Sequence, residues 1–313
     1  GVQRQIGNAW LAEVNYVGTR STHLDVLSDF NQPTIVGNLS TGIAPYSNFG
    51  YVEYTSPLGA GKYNGLEATL SRRFTNGLSM RLAYTYSRSL DNTPEELESN
   101  SGAAPNGRNY AAWYGPSDFD IPHRVALSYV YDLPFGNGRR FVNSGLLAKI
   151  VGGFQTSGVY TYYSGHPFTV NEGGTLAAGL DPFGQATAVP NVVGRPVIVG
   201  DPNCWFFVSS NKACTALEPS LADAYQITAT GVVGNSGRNT LRGPHTNVFD
   251  FSLVRDFPIK ESLKLQFRWE VFNLFNAVLF GQPNNNATSG AAGQITTLSG
   301  DPRVMQFALR LSF

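Results

Sequence analysis

The chain has 313 residues, a formal net charge of zero, 14% charged and 12% aromatic residues, with 34 Gly, 20 Phe and 15 Tyr. A balanced charge without basic clusters excludes a general attraction to nucleic acid. The lack of any continuous apolar window of about 18 residues excludes a transmembrane helix, but not membrane-crossing strands, which need only about 9–11 residues each.

β-Formers and turn residues abound while helix-forming runs are scarce, so the chain is all-β. A first strand spans 8–17, where Trp10, Ala12, Val14 and Tyr16 alternate with Leu11, Glu13 and Asn15. A polar segment from 18 to about 62 follows, with turn signals at Asn31-Gln-Pro, Ala44-Pro-Tyr and Ser56-Pro and a short strand at 49–55. The clearest hairpin comes next. Leu66, Ala68, Leu70 and Phe74 alternate with Glu67, Thr69, Ser71 and Arg73; Thr75-Asn-Gly77 turns the chain; Leu78, Met80, Leu82, Tyr84 and Tyr86 then form the apolar face of the return strand.

A second polar loop runs from 89 to about 122 and includes Pro94-Glu-Glu-Leu-Glu98, expected as one helical turn. Strands follow at 123–132 and 153–163, separated by the turn Asp132-Leu-Pro-Phe-Gly-Asn-Gly138 and a short helical link at 146–151. The longest loop, about 164–245, leads to a strand at 247–257 and a turn through Pro258-Ile-Lys-Glu-Ser262. In the last hairpin, Leu263, Leu265, Phe267, Trp269 and Val271 share one face and Met305, Phe307, Leu309, Leu311 and Phe313 another, with a loop at 276–302 between them.

Short connections follow Phe74, Tyr131 and Phe257, and long ones follow Val17, Arg88, Tyr163 and Phe275. An up-and-down meander places all the short turns on one edge and all the long loops on the other. That is the habit of outer-membrane barrels, with short periplasmic turns and long extracellular loops. A compact soluble domain rarely carries structureless loops above about 15 residues. The expected fold is an antiparallel up-and-down transmembrane β-barrel, as a single segment over 1–313 with about eight or nine strands of a larger barrel. Apolar faces then meet lipid and polar faces a wet lumen. The lumen-facing charges are Glu67, Arg73, Arg81, Asp250, Lys264, Arg268, Glu270 and Arg310. Arg72 and Arg255 fall on the apolar face and are expected at an interface, where long side chains snorkel. Tyr84, Tyr86, Tyr160, Tyr162, Phe272 and Phe275 are expected to form an interfacial girdle at the long-loop end.

Cys204 and Cys214 are the only cysteines, and no His lies near them for a zinc site. A loop-stapling disulfide is expected, with two free thiols under a loop as the alternative. Asp118, Asp120 and His123 are the nearest approach to a catalytic or metal constellation, but Asp before a strand serves turns equally well. No nucleophile elbow, phosphate loop or zinc-protease motif occurs, so neither an enzyme nor a metal or other cofactor is expected. Tyr110, Trp113, Tyr114, Trp205 and Phe206 in the long loops are candidates for stacking on a sugar or similar ligand.

Six motifs in order carry a family resemblance: Tyr63-Asn-Gly-Leu-Glu-Ala-Thr-Leu-Ser-Arg-Arg-Phe74, Leu82-Ala-Tyr-Thr-Tyr-Ser-Arg-Ser-Leu-Asp91, Asp118-Phe-Asp-Ile-Pro-His-Arg124, Gly237-Arg-Asn-Thr-Leu-Arg-Gly-Pro244, Glu270-Val-Phe-Asn-Leu-Phe-Asn276 and Gln306-Phe-Ala-Leu-Arg-Leu-Ser-Phe313. Together they resemble the C-terminal barrel of Oar-like TonB-dependent receptors, over nearly the whole chain. The resemblance implies outer-membrane localisation, a 22-stranded barrel, an N-terminal plug, and coupling to TonB through an N-terminal region not represented here. It also implies uptake of an external small-molecule or oligomeric substrate. It makes the closing strand, with Phe307, Leu309, Leu311 and Phe313, the signal for the outer-membrane assembly machinery. The chain begins at Gly1 and is expected to be a fragment or processed product. Alternatives are a self-contained eight-stranded barrel serving as adhesin or anchor, an outer-membrane enzyme, and a soluble β-sandwich.

Overall fold

The computed structural model describes residues 1–93, 103–182, 186–260 and 263–313. Nine strands, β1 (Val2–Ile6), β2 (Trp10–Asp29), β3 (Glu53–Thr75), β4 (Leu78–Asp91), β5 (His123–Asp132), β6 (Phe154–Tyr163), β7 (Thr246–Lys260), β8 (Leu263–Phe272) and β9 (Val304–Ser312), form one antiparallel meander in chain order. A short tenth strand, Gly115–Pro116, pairs with the end of β4. The β3–β4 hairpin turns through Asn76 and Gly77, both at positive φ, as a two-residue turn between right-twisted strands requires. Long connections follow β2, β4, β6 and β8 and lie together at one edge of the sheet; those after β1, β3, β5 and β7 lie at the other.

Directly paired residues share a face of the sheet. Register therefore carries one polar row from Ser71 through Arg81, Ser128 and Val159 to Asp250, and another from Ser252 through Glu270 to Gln306. On the opposite face Leu70, Leu82, Leu127, Tyr160 and Phe249 line up, as do Leu253, Trp269 and Phe307. The polar face is hollow, with a cavity of about 510 Å³ lined by Ser71, Arg81, Ser128, Asp250, Glu270 and their neighbours. Among described apolar side chains of the nine strands, only Val26 and Val271 are buried. The hydrophobic core lies instead in the long connections. Phe168, Val170, Phe206, Val208, Tyr225 and Leu241 pack with Ala287 and Ala292. Val26, Ala104, Tyr110, Trp113 and Val189 form a second cluster.

Four expectations need correction. The first strand does not stop at Val17 but runs to Asp29, its polar end paired with β3 down to Asp29 opposite Glu53. A stretch this polar has no lipid face to impose alternation, so its strand character is carried by backbone pairing alone. β1 was not anticipated because its five residues are all exposed and pair on one side only. Phe272 falls on the polar face, lining the same cavity as Glu270, and leaves the girdle. Arg73 sits in the irregular register between Arg72 and Thr75 beside the turn, outside the regular polar rows. The segment 94–98, expected as a helical turn, lies outside the described residues, as do 261–262 of the β7–β8 turn.

The other aromatics stand at the long-loop edge of the apolar face. His123 packs between Tyr84 and Tyr86, with its Nδ1 2.9 Å from the Tyr84 hydroxyl; Tyr162 meets His245, and Phe275 stacks on Phe249. Both arginines of the apolar face lie at the opposite edge. Arg72 lies 5.2 Å over Trp10 and donates to the Thr75 carbonyl, and Arg255 lies over Phe154 and Phe257.

Candidate functional site

The loop layer is tied together by buried polar groups. Asn31, fully buried, donates its amide to the carbonyls of Tyr46, Phe49 and Gly50 and accepts from the Tyr46 N–H, closing connection 30–52 on itself. Gln32 reaches the next connection, donating to the Pro105 carbonyl and accepting from Gly107. The strongest tie joins connections 92–122 and 164–245. Arg238, its side chain 1% exposed, ion-pairs with Asp91 and, at 2.7 Å, with Asp118, and donates to the Thr93 carbonyl. Asn239 donates to the second Asp118 oxygen at 2.6 Å. Arg242 pairs with Asp120, whose other oxygen accepts from the Ser89 N–H. Charges this deep are tolerated because each is paired with an opposite charge and supported by further hydrogen bonds. In the last connection Asn273 and Asn276, both at positive φ, fold the turn after β8, Asn273 donating to the Ala277 and Asp301 carbonyls.

These contacts settle the place of several residues singled out in the sequence. Asp118 and Asp120 are taken up by Arg238 and Arg242, and His123 by Tyr84. The geometry assembles a structural clamp rather than an acid–histidine pair. Cys204 and Cys214 are bonded, both wholly buried, bracing the end of one short strand against helix Lys212–Leu217. Of the five aromatics expected to stack on a ligand, Tyr110 is buried and donates to the Leu27 carbonyl, and Phe206 is buried against Phe168 and Tyr225. Trp205 is half-buried, its indole N–H held 2.7 Å from the Arg242 carbonyl. Packing the loop layer has first claim on these three, because a layer without lipid or sheet core must supply its own apolar centre. Tyr114 remains substantially exposed, and Trp113, though packed, forms part of a cavity wall.

That cavity, about 550 Å³, opens where connections 30–52, 92–122 and 164–245 meet. Among the described residues none that lines it is charged, and Asn38, Asn106, Asn109, Asn191 and Asn235 contribute to it. The side-chain oxygens of Asn106, Asn109, Asn191 and Asn235 accept from the backbone N–H groups of Arg108, Ala112, Asn235 and Val192. Among the described residues their NH₂ groups have no such partner and are the donors left for a ligand. The site can therefore hold a neutral ligand rich in hydroxyl or carbonyl acceptors, with Trp113 as an apolar wall. The asparagines were visible in the sequence only as loop composition; nothing local says that residues some 130 positions apart share one space.

Tyr225 offers a separate check on the loop core. Burial first, and the Asp223 carboxylate second, push its phenol above the ordinary tyrosine range, and its buried hydroxyl has no partner among the described residues. Tyr110, whose hydroxyl donates to the Leu27 carbonyl, is pushed the same way by burial. An acid held neutral in the fold stabilises it fully below its unfolded pKa of about 10, and that contribution is lost as pH rises toward the folded value. Tyr225→Phe is expected to leave the urea midpoint at pH 8 unchanged or slightly raised, since no hydrogen bond is lost, and to shrink the drop between pH 8 and pH 11. An undiminished alkaline drop in the variant would refute this account.

Residues 1–306 match the family model described as outer membrane beta barrel domain. The chain belongs to the outer-membrane β-barrel domain family. It resides in the outer membrane. Among solved structures it is similar to the outer membrane transporter YddB from Escherichia coli (11% identity, TM-score 0.45, 99% of this chain and 30% of that one). It is also similar to the ferric-catecholate import receptor Fiu from E. coli K12 (11%, 0.43, 98% and 26%) and to P. aeruginosa FpvA, solved with a bound pyoverdine–iron complex (10%, 0.38, 99% and 32%). The chain spans about a third or less of the length of these structures. No curated protein matches it.

Proposed function

We propose that this outer-membrane barrel segment is the C-terminal barrel portion of a TonB-dependent receptor, whose extracellular loops capture a neutral, oligomeric substrate such as a carbohydrate and whose intact form moves it inward. The observation that carries this reading is the interlocked loop layer enclosing an uncharged, donor-lined cavity at one edge of a sheet with a hollow polar face. A self-contained eight-stranded barrel fits less well, because side chains fill the interior at that size. β1 and β9 each pair on one side, and lipid cannot satisfy an open strand edge. The proposal therefore closes the wall with further strands, gives the apolar edge strand β9, with Phe307, Leu309 and Leu311 exposed, to the outer-membrane assembly machinery, and takes energy from TonB.

The test uses Gram-negative cells making the intact protein, with and without TonB, grown on limiting neutral oligosaccharides. Growth on at least one of them is expected to require both the protein and TonB. Ala112→Trp, which fills the cavity from an exposed wall position, is expected to slow that growth at unchanged protein level. Growth indifferent to TonB and to the filled cavity sinks the reading.

A further inference from the structure

The connection after β5, residues 133–153, is out of character for the edge that carries tight turns. It contains a seven-residue helix, α1 (Gly145–Val151), whose Leu146, Leu147 and Ile150 are 74%, 66% and 56% exposed. These three lie on one side of the helix, and Ala148, on the other, is buried. Gly136, at φ +107°, lets the backbone approach Gly152 so closely that a Cβ would sit 2.5 Å from its Cα, which fixes the helix against the strand ends. Nearby Phe141 and Val142 are also exposed. Such a cluster of bare large apolar side chains is not what water at a turn selects.

Two observations identify what covers it. The first is position. Arg255 projects from the apolar, lipid-side face of β7, lies over Phe154 and Phe257, and donates to the carbonyls of Ile150 and Lys149, at 2.5 Å for the latter. The C-terminal end of α1 is therefore held on the lipid side of the wall. The second is charge. Residues 133–153 contain Arg139, Arg140 and Lys149 and no acidic residue. Arg139 faces Asp132 at 3.8 Å across an exposed gap, Arg140 lies over the Phe141 ring, and among the described residues neither Arg140 nor Lys149 has a carboxylate partner. Apolar side chains continuous with a lipid-facing wall and flanked by unpaired cations match the boundary between anionic headgroups and acyl chains.

We infer that 133–153 is an interfacial anchor, in which Leu146, Leu147 and Ile150 enter the acyl region of the periplasmic leaflet while Arg140 and Lys149 hold anionic phospholipid headgroups. This rests on the outer-membrane location and not on the receptor reading.

The test labels Leu147→Cys and Ile150→Cys with a nitroxide, the native cysteines being bonded to each other. The intact protein is placed in vesicles of phosphatidylcholine with or without phosphatidylglycerol, with retention of the barrel checked by heat-dependent mobility on gels. Labels at 147 and 150 are expected to collide more with oxygen than with a water-soluble nickel chelate, and a label at Asn143→Cys the reverse. Removing phosphatidylglycerol, or combining Arg140→Gln with Lys149→Gln, is expected to shrink the contrast. Nickel dominating at 147 and 150 overturns the anchor. Low collision with both probes assigns the helix to a protein partner and overturns it equally, and indifference to anionic lipid overturns the headgroup contact. Should one labelled variant fail to fold, Leu146→Cys, the most exposed of the three, gives the same reading.

Discussion

Arg238→Ala is expected to destabilise the loop layer by about 3–5 kcal/mol, the cost of removing one partner from a buried ion pair and leaving the other charge uncompensated. Asp91 and Asp118 both lean on this one guanidinium, and the Asp91 side chain is itself only 8% exposed. Among the described residues the other arginine of the clamp, Arg242, is committed to Asp120 and does not replace it. Arg238→Lys keeps the charge but not the planar fork that serves two carboxylates and a carbonyl together, so it should fall between the parent and the alanine variant. Pairing Arg238→Met with Asp91→Asn removes both charges at the buried contact and is expected to recover part of the loss. The measurement is urea unfolding followed by chymotrypsin sensitivity of connections 92–122 and 164–245. Cleavage of Arg238→Ala at the same urea concentration as the parent would show that the clamp does not hold the layer.

This clamp marks the limit of what the sequence discloses. The motifs Asp118-Phe-Asp-Ile-Pro-His-Arg124 and Gly237-Arg-Asn-Thr-Leu-Arg-Gly-Pro244 stood out as a resemblance, yet their pairing across about 120 residues leaves no local trace. Strands bounded by lipid were legible because one face must be apolar without interruption, and a period of two is the direct imprint of that demand. β3–β4 and β8–β9 keep the expected division of faces for this reason, apart from the irregularity between Arg72 and Thr75. Where β2 and β3 extend in polar residues beyond the apolar stretch, the imprint vanishes and the strands were read as loop. The aromatics of the loops misled for a related reason. Tyr110 and Phe206 look like ligand platforms in a polar context, but a loop layer this large needs an interior of its own, and large aromatics are what fill one. The asparagines that line the cavity carried no signal beyond composition.

The two-faced wall itself makes the second large prediction. Leu127 and Ser128 are neighbours near the middle of β5, Leu127 in the apolar row between Leu82 and Tyr160, Ser128 in the polar row between Arg81 and Val159. Leu127→Arg places a guanidinium against hydrocarbon and is expected to cost about 2–4 kcal/mol if β5 crosses the bilayer midplane there, with a smaller cost toward either interface. Ser128→Arg adds the same side chain one residue away but projects it into the hollow polar face beside Asp250 and Glu270, where water and carboxylates receive it, and its cost is expected to stay within about 1 kcal/mol. Both variants change the same strand, so differences in strand propensity cancel between them and the contrast isolates the environment of each face. Equilibrium unfolding of the intact protein from vesicles measures it. Equal costs at the two positions would mean that the faces are not divided between lipid and lumen, and the assignment of every charge on the polar rows would fall with that division.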